Sequence, residues 1–442
     1  MTDQRAYLDH NATAPLLPAA RAAMLAAMDL TGNPSSVHAE GRLARNVIED
    51  ARRAVAGLAN VKAEQVTFTS GATEAANLVL TPNYQMGRAP LVFSKLYVSA
   101  VEHPAVLAGG RFAKNDVVVV TVDGDGRLAP AFPLAGKVDA KRSDGGGEGS
   151  AELSVYGRSA SSSPSASSLP PPSVSSADTF PARGKAGVSL GDALESHDIT
   201  LGLPLVAVQL ANNESGIIQP IAEIAALVKA HGGILVVDAV QAPGRIPLDM
   251  SDGYADFMIL SAHKMGGPKG VGALISNSTL LMPSPLLRGG GQEKGHRAGT
   301  EALPLIAGFG AAARVAKERL GKVGELLAKR NAIEAAIMRQ APDATIHGQS
   351  VERLPNTTFF TLPGLKAETL QIAFDLGGVA LSAGSACSSG KLGASHVLEA
   401  MGLNKIGGAL RVSIGHETTQ ADIALFEKCL AEISARRALR AA

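Results

Sequence analysis

The sequence predicts an α/β fold with a mostly parallel sheet, followed by a smaller α+β region. Hydrophobic residues make up 46% and charged residues 18% of the 442 residues, which is enough apolar material for a large core. Short runs rich in Val, Ile and Leu alternate with stretches of helical spacing, a pattern typical of a sheet with helices on both faces. Most of the runs are four to six residues long, which suits strands that are buried on both faces of a sheet.

Seven runs are the predicted strands of this sheet, at residues 66–69, 96–98, 117–122, 205–210, 234–237, 257–260 and 271–275. Stretches between them, such as 36–60 and 221–231, carry helical spacing.

The pattern changes after about residue 300, where one or two long helices, two further strands and terminal helices are predicted. The helices lie at 306–340, and the strand candidates lie at 357–361 and 410–414. We expect a large domain over residues 17–305 and a smaller α+β domain made of residues 1–16 and 306–442.

One stretch, roughly residues 140–187, interrupts the pattern of the large domain. It is rich in Ser, contains a Gly triplet at 145–147 and a Pro triplet at 170–172, and has almost no apolar periodicity. Such a segment buries too little surface to offset the entropy of ordering it. We expect a disordered surface insertion, with a bound regulatory tail as the alternative.

Charge and composition exclude several classes of function. Lys plus Arg number 41 and Asp plus Glu 40, so there is no electrostatic basis for binding nucleic acid or a membrane surface. No apolar run reaches the ~20 residues of a membrane helix, and the first residues contain no apolar signal segment. The two cysteines, Cys387 and Cys429, cannot form a disulfide scaffold, and a cytoplasmic location is expected.

Five of the predicted strands are followed at once by a polar cluster. Ligands in open α/β sheets bind at the carboxyl ends of strands. The cluster at 70–74 combines small residues and hydroxyls at the start of a helix, where backbone N–H groups favour an anion such as phosphate. Each cluster alone has an ordinary structural explanation, such as a helix cap, but together they predict one pocket. The other four lie at 102–104, 212–214, 238–241 and 261–264.

Lys264, Asp238 and His103 give this pocket the groups that pyridoxal phosphate (PLP) needs. The cofactor requires a lysine for its Schiff base and an acidic partner for its pyridinium nitrogen. Partial burial favours the neutral, reactive amine of Lys264, and His103 is a candidate to stack on the ring and move protons. A nucleotide site would not need Lys264 and Asp238 together, and the sequence lacks the common nucleotide-binding glycine motifs.

Cys387 lies in a loop of small residues at 381–390, ahead of a helix-like stretch at 395–401. An exposed loop suits a nucleophile that visits an active site, and a thiolate suits the uptake of sulfur. A small buried thiol is the alternative. Cys429, within the amphipathic stretch 421–433, is expected to pack in the core.

These motifs resemble the cysteine desulfurases, which belong to the class V aminotransferase-like group of fold-type I PLP enzymes. The resemblance covers nearly the whole chain except the insertion, and the Cys loop at 385–387 is its most specific block. It implies a large domain with a mostly parallel seven-stranded sheet and a smaller α+β domain. The other matching blocks are 7–13, which looks like the family's opening strand, 32–38, 69–74, 212–214, 261–264, 288–293 and 297–300.

The resemblance implies a role for each of several residues. Lys264 would hold PLP, Asp238 would pair with the pyridine nitrogen, Gln241 would bond the ring hydroxyl and His103 would stack on the ring. Cys387 would attack the sulfur of PLP-bound L-cysteine. Residues implied to hold the phosphate are Ala72, Thr73, Ser261, His263 and, from the other subunit of a homodimer, Thr300. Residues implied to bind the substrate carboxylate are Asn33, Asn213, which also belongs to the expected cofactor site, and Arg411.

The implied activity is that of a cysteine desulfurase. It releases L-alanine and leaves a persulfide on Cys387, which passes to an acceptor protein for iron–sulfur cluster assembly or for thiolation of RNA or cofactors. One alternative is a selenocysteine lyase or another class V lyase. The other is a non-catalytic scaffold that keeps the fold and only binds partners.

Overall fold

A computed structural model describes residues 5–128, 187–384, 395–403 and 409–441, which belong to one compact unit. Nearly all of the predicted insertion at 140–187 lies outside the described residues, and so does Cys387. The predicted boundary between a large and a small domain stays a prediction. None of the described helices has both the length and the apolar character needed to cross a bilayer.

The strands of the described residues are numbered in chain order: β1 (Ala6–Tyr7), β2 (Val66–Thr69), β3 (Asn83–Met86), β4 (Ala89–Ser99), β5 (Val117–Val120), β6 (Leu203–Gln209), β7 (Ile234–Asp238), β8 (Phe257–Ser261), β9 (Gly272–Ser276), β10 (Leu281–Pro283), β11 (Thr345–Ile346), β12 (Thr357–Thr361), β13 (Val379–Ala380), β14 (Ser382–Ala383) and β15 (Ala409–Ser413).

The α-helices are α1 (Pro18–Met28), α2 (Ala39–Leu58), α3 (Ala72–Val79), α4 (Pro104–Leu107), α5 (Leu190–Glu195), α6 (Ile221–Ala230), α7 (Leu303–Arg319), α8 (Val323–Gln340), α9 (Ala367–Leu376), α10 (His396–Ala400) and α11 (Gln420–Ala441).

The main sheet has nine strands in the order β10-β3-β4-β6-β7-β8-β9-β2, with β5 also paired to β4. Strands β5, β4, β6, β7 and β8 pair in parallel, whereas β9 is antiparallel to both β8 and β2. The prediction of a mostly parallel α/β sheet is confirmed. The sheet exceeds the expected seven strands because β4 begins at Ala89, and its first half pairs with β3, which in turn pairs with β10.

Helices bury both faces of this sheet. Consecutive residues of β7 alternate between two apolar clusters: Val237 packs in one with Phe68 and Phe309, and Val236 packs in the other with Phe257. Alternation with period two places the clusters on opposite faces of the sheet. On the first face the rings of Phe68 and Phe309 meet edge to face, with their centroids 6.0 Å apart.

Small residues bring α7 close to α2 on that face. A Cβ atom at Gly310 would lie 2.5 Å from Cα of Ala51, so the two backbones can approach only without a side chain there. Ala44, Ile48, Ala51 and Val55 are buried at helical spacing along α2, which is the pattern that predicted this helix.

A second sheet has the order β11-β12-β15-β14, and its core contains α8, α9 and α11 residues. Phe374 and Phe426 stack there with ring centroids 5.3 Å apart. Cys429 belongs to the same cluster and is 7% exposed, which confirms its predicted place in the core.

The segment after β1 crosses from the second sheet to the main sheet. Asp9 forms a β-bridge with Ser413 of β15. Five residues later the N–H group of Ala14 donates to the carbonyl of His263, over 2.9 Å, just beyond the end of β8. The backbone of the residues between, 10–13, is thereby held at the carboxyl ends of the parallel strands. Of the expected opening strand at 7–13, only Tyr7 belongs to a strand, the two-residue β1.

Candidate active site

A cleft of about 560 Å³ opens at the carboxyl ends of the parallel strands. Its lining includes residues that directly follow β2, β6, β7 and β8, together with His103 after β4. This is the edge at which the polar clusters of the sequence were expected to meet. Residues 12 and 13 line the same cleft from the crossing segment.

Lys264 ends a short helical turn that follows β8. Its Nζ donates to two backbone carbonyls of the crossing segment, that of Asn11 over 2.6 Å and that of Ala12 over 2.9 Å. These acceptors suit an ammonium group, which has donors only. The amine must lose a proton before it can react with a carbonyl carbon.

Asp238 is the last residue of β7 and lines the cleft. Burial raises the pKa of its carboxyl group to about 6, although the N–H group of Val240, 3.0 Å from Oδ1, and the charge of Lys264 act in the opposite direction. A buried carboxyl group of this kind favours a cationic partner that replaces water. A protonated ring nitrogen would supply such a charge.

His103 follows β4 and precedes α4. Its Nδ1 accepts from the N–H group of Ala105 over 3.1 Å, so the neutral ring carries its proton on Nε2. Burial lowers the pKa of His103 to about 4, and the charges of Lys264 and His396 lower it further. The imidazole is therefore neutral at pH 7, with Nε2 left for a group in the cleft.

Residues 71–73, which line the cleft at the start of the eight-residue helix α3, form a cradle of backbone N–H groups. Gly272 of β9 lies directly against it, since a Cβ atom there would be 2.7 Å from the carbonyl carbon of Gly71. Glu74 closes the first turn by accepting from the N–H group of Ser70 over 2.8 Å. The cradle and the positive end of α3 suit a phosphate group.

Ser261 and His263 line the cleft after β8. Nδ1 of His263 lies 3.2 Å from Oγ1 of Thr13. Burial lowers the pKa of His263 to about 4, with further lowering by Lys264 and Lys269, so this ring is also neutral at pH 7. Lys269 lines the cleft as well and adds a second cation.

The amide of Gln241 has a fixed orientation. Arg245 donates to its Oε1 and, over 3.0 Å, to its backbone carbonyl. Because a guanidinium has donors only, the other end of the amide must be the NH₂ group, and Nε2 donates to the carbonyl of Asn11 over 3.1 Å. Burial lowers the pKa of Arg245 to about 9, and the charge of Arg411 acts in the same direction.

Comparison with known proteins agrees with this geometry. The family model for aminotransferase class-V matches residues 6–134 and 187–426. A cysteine desulfurase of Cereibacter sphaeroides is 34% identical over 95% of this chain and 93% of its own length. An IscS-like cysteine desulfurase of Mycobacterium tuberculosis is likewise 34% identical, with 95% and 93% covered.

The chain belongs to the cysteine desulfurase family of class-V aminotransferases.

A solved NifS-like protein from Rickettsia africae superposes with a TM-score of 0.73 at 29% identity, covering 97% of this chain and 99% of its own. The expected fold and the expected enzyme class are thereby confirmed. The names of the relatives favour the desulfurase over the selenocysteine lyase alternative.

Enzymes of this family depend on PLP, and the residues of the cleft fit that group. A lysine amine, a buried carboxyl group and a neutral imidazole lie around one cleft, which also contains a cradle for phosphate. Nine of the residues predicted from the sequence line it, namely Ala72, Thr73, His103, Asn213, Asp238, Gln241, Ser261, His263 and Lys264. Their individual roles stay predictions.

Three other predicted residues are not part of the cleft lining among the described residues. Asn33 is exposed, and its Oδ1 accepts from the N–H group of Ser35 over 2.9 Å. Thr300 is exposed in an irregular segment. Arg411 is buried on β15, where it donates to Asp9 and to the backbone carbonyl of Asn213. Cys387 lies outside the described residues.

Sequence reasoning missed the part of the site formed by the crossing segment. Residues 11–13 were assigned to an opening strand, but they have an irregular conformation. The carbonyls of Asn11 and Ala12 accept hydrogen bonds from Lys264 and Gln241. Backbone acceptors leave no residue-type signal. Arg245 was also missed, although an arginine four residues after Gln241 and beside a predicted strand end was a detectable signal.

Proposed function

We propose that this chain removes sulfur from L-cysteine with PLP bound to Lys264, giving L-alanine and a persulfide on Cys387. The observation that carries the proposal is that Lys264, Asp238 and His103 lie around one cleft beside an anion cradle. A site for phosphate alone would not combine that cradle with an amine and a buried carboxyl group.

PLP, when bound, supplies an electron-withdrawing ring that stabilises negative charge on the substrate carbon atoms. The described residues hold and orient the reacting groups. Asp238 would share a proton with the ring nitrogen, and the amide NH₂ group of Gln241 would donate to the ring hydroxyl. Residues 72, 73, 261 and 263 would hold the phosphate.

Proton transfer is assigned to two residues. The amine of Lys264, once neutral, accepts the α-proton of the substrate. His103 holds its proton on Nε2 and would donate a hydrogen bond through that atom. Asn213 follows β6 and lines the cleft, where its side chain would contact the substrate carboxylate and the cofactor. Asn33 and Arg411 are proposed to assist in carboxylate binding.

The sulfur step balances without an added oxidant. The thiolate of Cys387 attacks the sulfur atom of the substrate, an S–S bond forms, and the C–S bond of the substrate breaks. The bonding electrons stay on the substrate carbon, which takes up a proton and becomes the methyl group of L-alanine. The persulfide is then reduced or passed to an acceptor protein for iron–sulfur cluster assembly or thiolation.

The proposal includes a homodimer and a cytoplasmic location. In the dimer, Thr300 of one subunit would reach the phosphate in the other subunit. The exposure of Thr300 supports this assignment.

The test is a reaction of the PLP-loaded protein with L-cysteine, followed by assays of L-alanine, of sulfide after reduction and of persulfide on Cys387. We expect one L-alanine per sulfur released, and no persulfide in Cys387→Ser. Cys429→Ser is the matched control, because that thiol is buried and donates to the carbonyl of Gly377 over 3.2 Å. Full activity in Cys387→Ser would refute the persulfide. Reaction with L-selenocysteine alone would indicate the lyase, and failure to take up PLP would indicate a scaffold.

A further inference from the structure

Glu214 is a buried carboxylic acid that the mechanism above does not use. It is 2% exposed and follows Asn213, which lines the cleft. Its Oε2 accepts from Oγ of Ser395 over 2.6 Å, and its N–H group donates to Oδ1 of Asn212 over 2.8 Å. Backbone and side chain of Glu214 are therefore both held, and the side chain points away from its own turn toward the start of α10.

Gly384 meets the same carboxylate oxygen. A Cβ atom on Gly384 would lie 2.9 Å from Oε2 of Glu214 and 3.1 Å from the ring of Phe359, so a side chain here would require these groups to shift. The N–H group of Gly384 donates to the carbonyl of Ala409 over 2.9 Å, which fixes it at the end of β14. The close approach is thus between a buried side chain and a fixed backbone.

Ser395 is also fixed. It is 5% exposed and caps α10, since its Oγ accepts from the N–H group of Leu398 over 3.2 Å while it donates to Glu214. Val397 and Leu398 are buried on this short helix. Oε2 of Glu214 therefore accepts from Ser395 and lies close to the backbone of Gly384. Cys387 lies between these two residues in the sequence, three positions after Gly384.

We propose that Glu214 is a positioning residue for sulfur transfer: its carboxyl group binds Ser395 and packs against Gly384, and so fixes the two described residues that flank Cys387 in the sequence. The inference rests on the proposed persulfide chemistry. A nucleophile misplaced by about 1 Å can lose about 100-fold in rate. The loss of a single buried contact at Ser395 should therefore have a measurable effect on the rate of sulfur transfer.

The role depends on the hydrogen bond and not on the charge. Burial raises the pKa of Glu214 to about 7, while the Ser395 hydroxyl and the charge of Arg411 act in the opposite direction. Oxygen accepts from the Ser395 hydroxyl in either protonation state. Glu214→Gln keeps an acceptor oxygen of the same reach, whereas Glu214→Ala removes it.

The experiment compares single turnovers of PLP-loaded wild type, Glu214→Ala, Glu214→Gln, Ser395→Ala and the double variant Glu214→Ala/Ser395→Ala. Persulfide on Cys387 is measured by quenched alkylation and mass spectrometry, and cysteine binding by the change in cofactor absorption. We expect Glu214→Ala and Ser395→Ala each to slow persulfide formation about 10-fold or more, with cysteine binding changed less than about 2-fold. Glu214→Gln should stay within about 3-fold of wild type.

The double variant decides whether the two side chains act through one bond. If they do, it will be no slower than the slower single variant; multiplied effects would overturn the proposal. A Glu214→Ala protein that forms persulfide at the wild-type rate, or that loses cysteine binding instead, would also overturn it.

Ser395→Ala keeps the test decisive if Glu214→Ala does not fold. Glu325→Ala, an exposed residue of α8, is the matched control. A wild type without persulfide would refute the proposed function itself.

Discussion

Polar side chains at the strand ends of the nine-stranded sheet face an open cleft, whereas polar side chains of the four-stranded sheet are buried against one another. Asp238 ends β7 with one backbone donor to its carboxylate and space in front of it. Arg411 of β15 donates to Oδ1 of Asp9 over 2.6 Å and to the carbonyl of Asn213 over 2.9 Å. The carboxylate of Asp238 is therefore accessible to a ligand, whereas the Arg411 side chain links segments of the chain that are far apart in sequence.

The same contrast applies to the crossing segment, which contacts both sheets. The side chain of Asn11 donates to Oγ1 of Thr357 over 2.9 Å, and the backbone N–H group of Asn11 donates to Oγ of Ser413 over 3.0 Å. On the other side, the carbonyl of Asn11 accepts from Lys264 and Gln241. Asn11 thus binds residues of the four-stranded sheet on one side and side chains of the candidate active site on the other.

The largest expected effect is the loss of activity when a residue of the cleft is replaced. Lys264→Ala removes the amine that would hold PLP and move the α-proton, and we expect alanine formation to fall on the order of 10⁴-fold. Rate assays with added PLP, together with the loss of the visible absorption of lysine-bound cofactor, measure this. Lys366→Ala, on the surface before α9, is the control and should keep its activity. Residual activity above one tenth of wild type would contradict the assignment.

The structural role of the buried polar contacts in the four-stranded sheet is tested by Arg411→Met. Removing one partner of a buried ion pair leaves Asp9 without its cation, and we expect the free energy of unfolding to fall by about 3–5 kcal/mol. Urea unfolding of the PLP-free protein measures it. Arg436→Met, which removes an exposed pair with Glu432, should cost less than about 1 kcal/mol. Equal losses in the two variants would remove the distinction between the sheets.

Asp238→Asn should separate stability from activity. The pKa of Asp238 is about 6 in the folded protein against an ordinary value of 3.8. Between these values the folded state binds more protons than the unfolded state, so stability falls as pH rises from about 4 to about 6. Asparagine removes that loss, and the PLP-free variant should be more stable at pH 7.5 by about 2–3 kcal/mol, while its activity falls.

Urea unfolding of wild type and Asp238→Asn at pH 4 and pH 7.5 gives the comparison. The difference between the proteins should be small at the lower pH and large at the higher one. If the difference in free energy of unfolding is the same at both pH values, the pKa of Asp238 is not raised in the folded protein.

The smallest expected effect comes from Arg245→Met. The variant loses the donor that orients the Gln241 amide, which is worth roughly 0.5–1.5 kcal/mol for a single hydrogen bond. We expect PLP to bind about 3–10-fold more weakly, measured by titration of the PLP-free protein. Arg314→Met, on the exposed side of α7, is the control. Unchanged affinity would show that Asn11 alone orients the amide.

The fold was predictable where burial on both faces dictates composition. The predicted strands at 66–69 and 257–260 agree with β2 and β8 within one residue, because burial on both faces favours short runs of β-branched and large apolar residues. Strand β3 was missed because its residues are mostly exposed and carry no apolar run. The two-residue strands β1 and β13 exist only through pairing with each other, which depends on residues far apart in sequence.

Within the site, side chains with distinctive chemistry were predictable and backbone contributions were not. Lys264 and Asp238 stand out by type at strand ends. The carbonyls of residues 11 and 12 could not be found from residue types, since every residue has one. The contact of Glu214 with Ser395 joins positions 181 apart in the sequence, and only the fold brings them together.

The crossing segment has a consequence for how the site is assembled. The bridge from Asp9 to Ser413 and the pairing of β1 with β13 join this segment to strands hundreds of residues later in the sequence. Contacts of such long sequence separation are slow to form, because the entropy of closing a long loop must be overcome first. The carbonyls that accept from the Lys264 amine are therefore positioned by the tertiary fold and not by any local segment, so an unfolded or partly folded chain has no complete cleft.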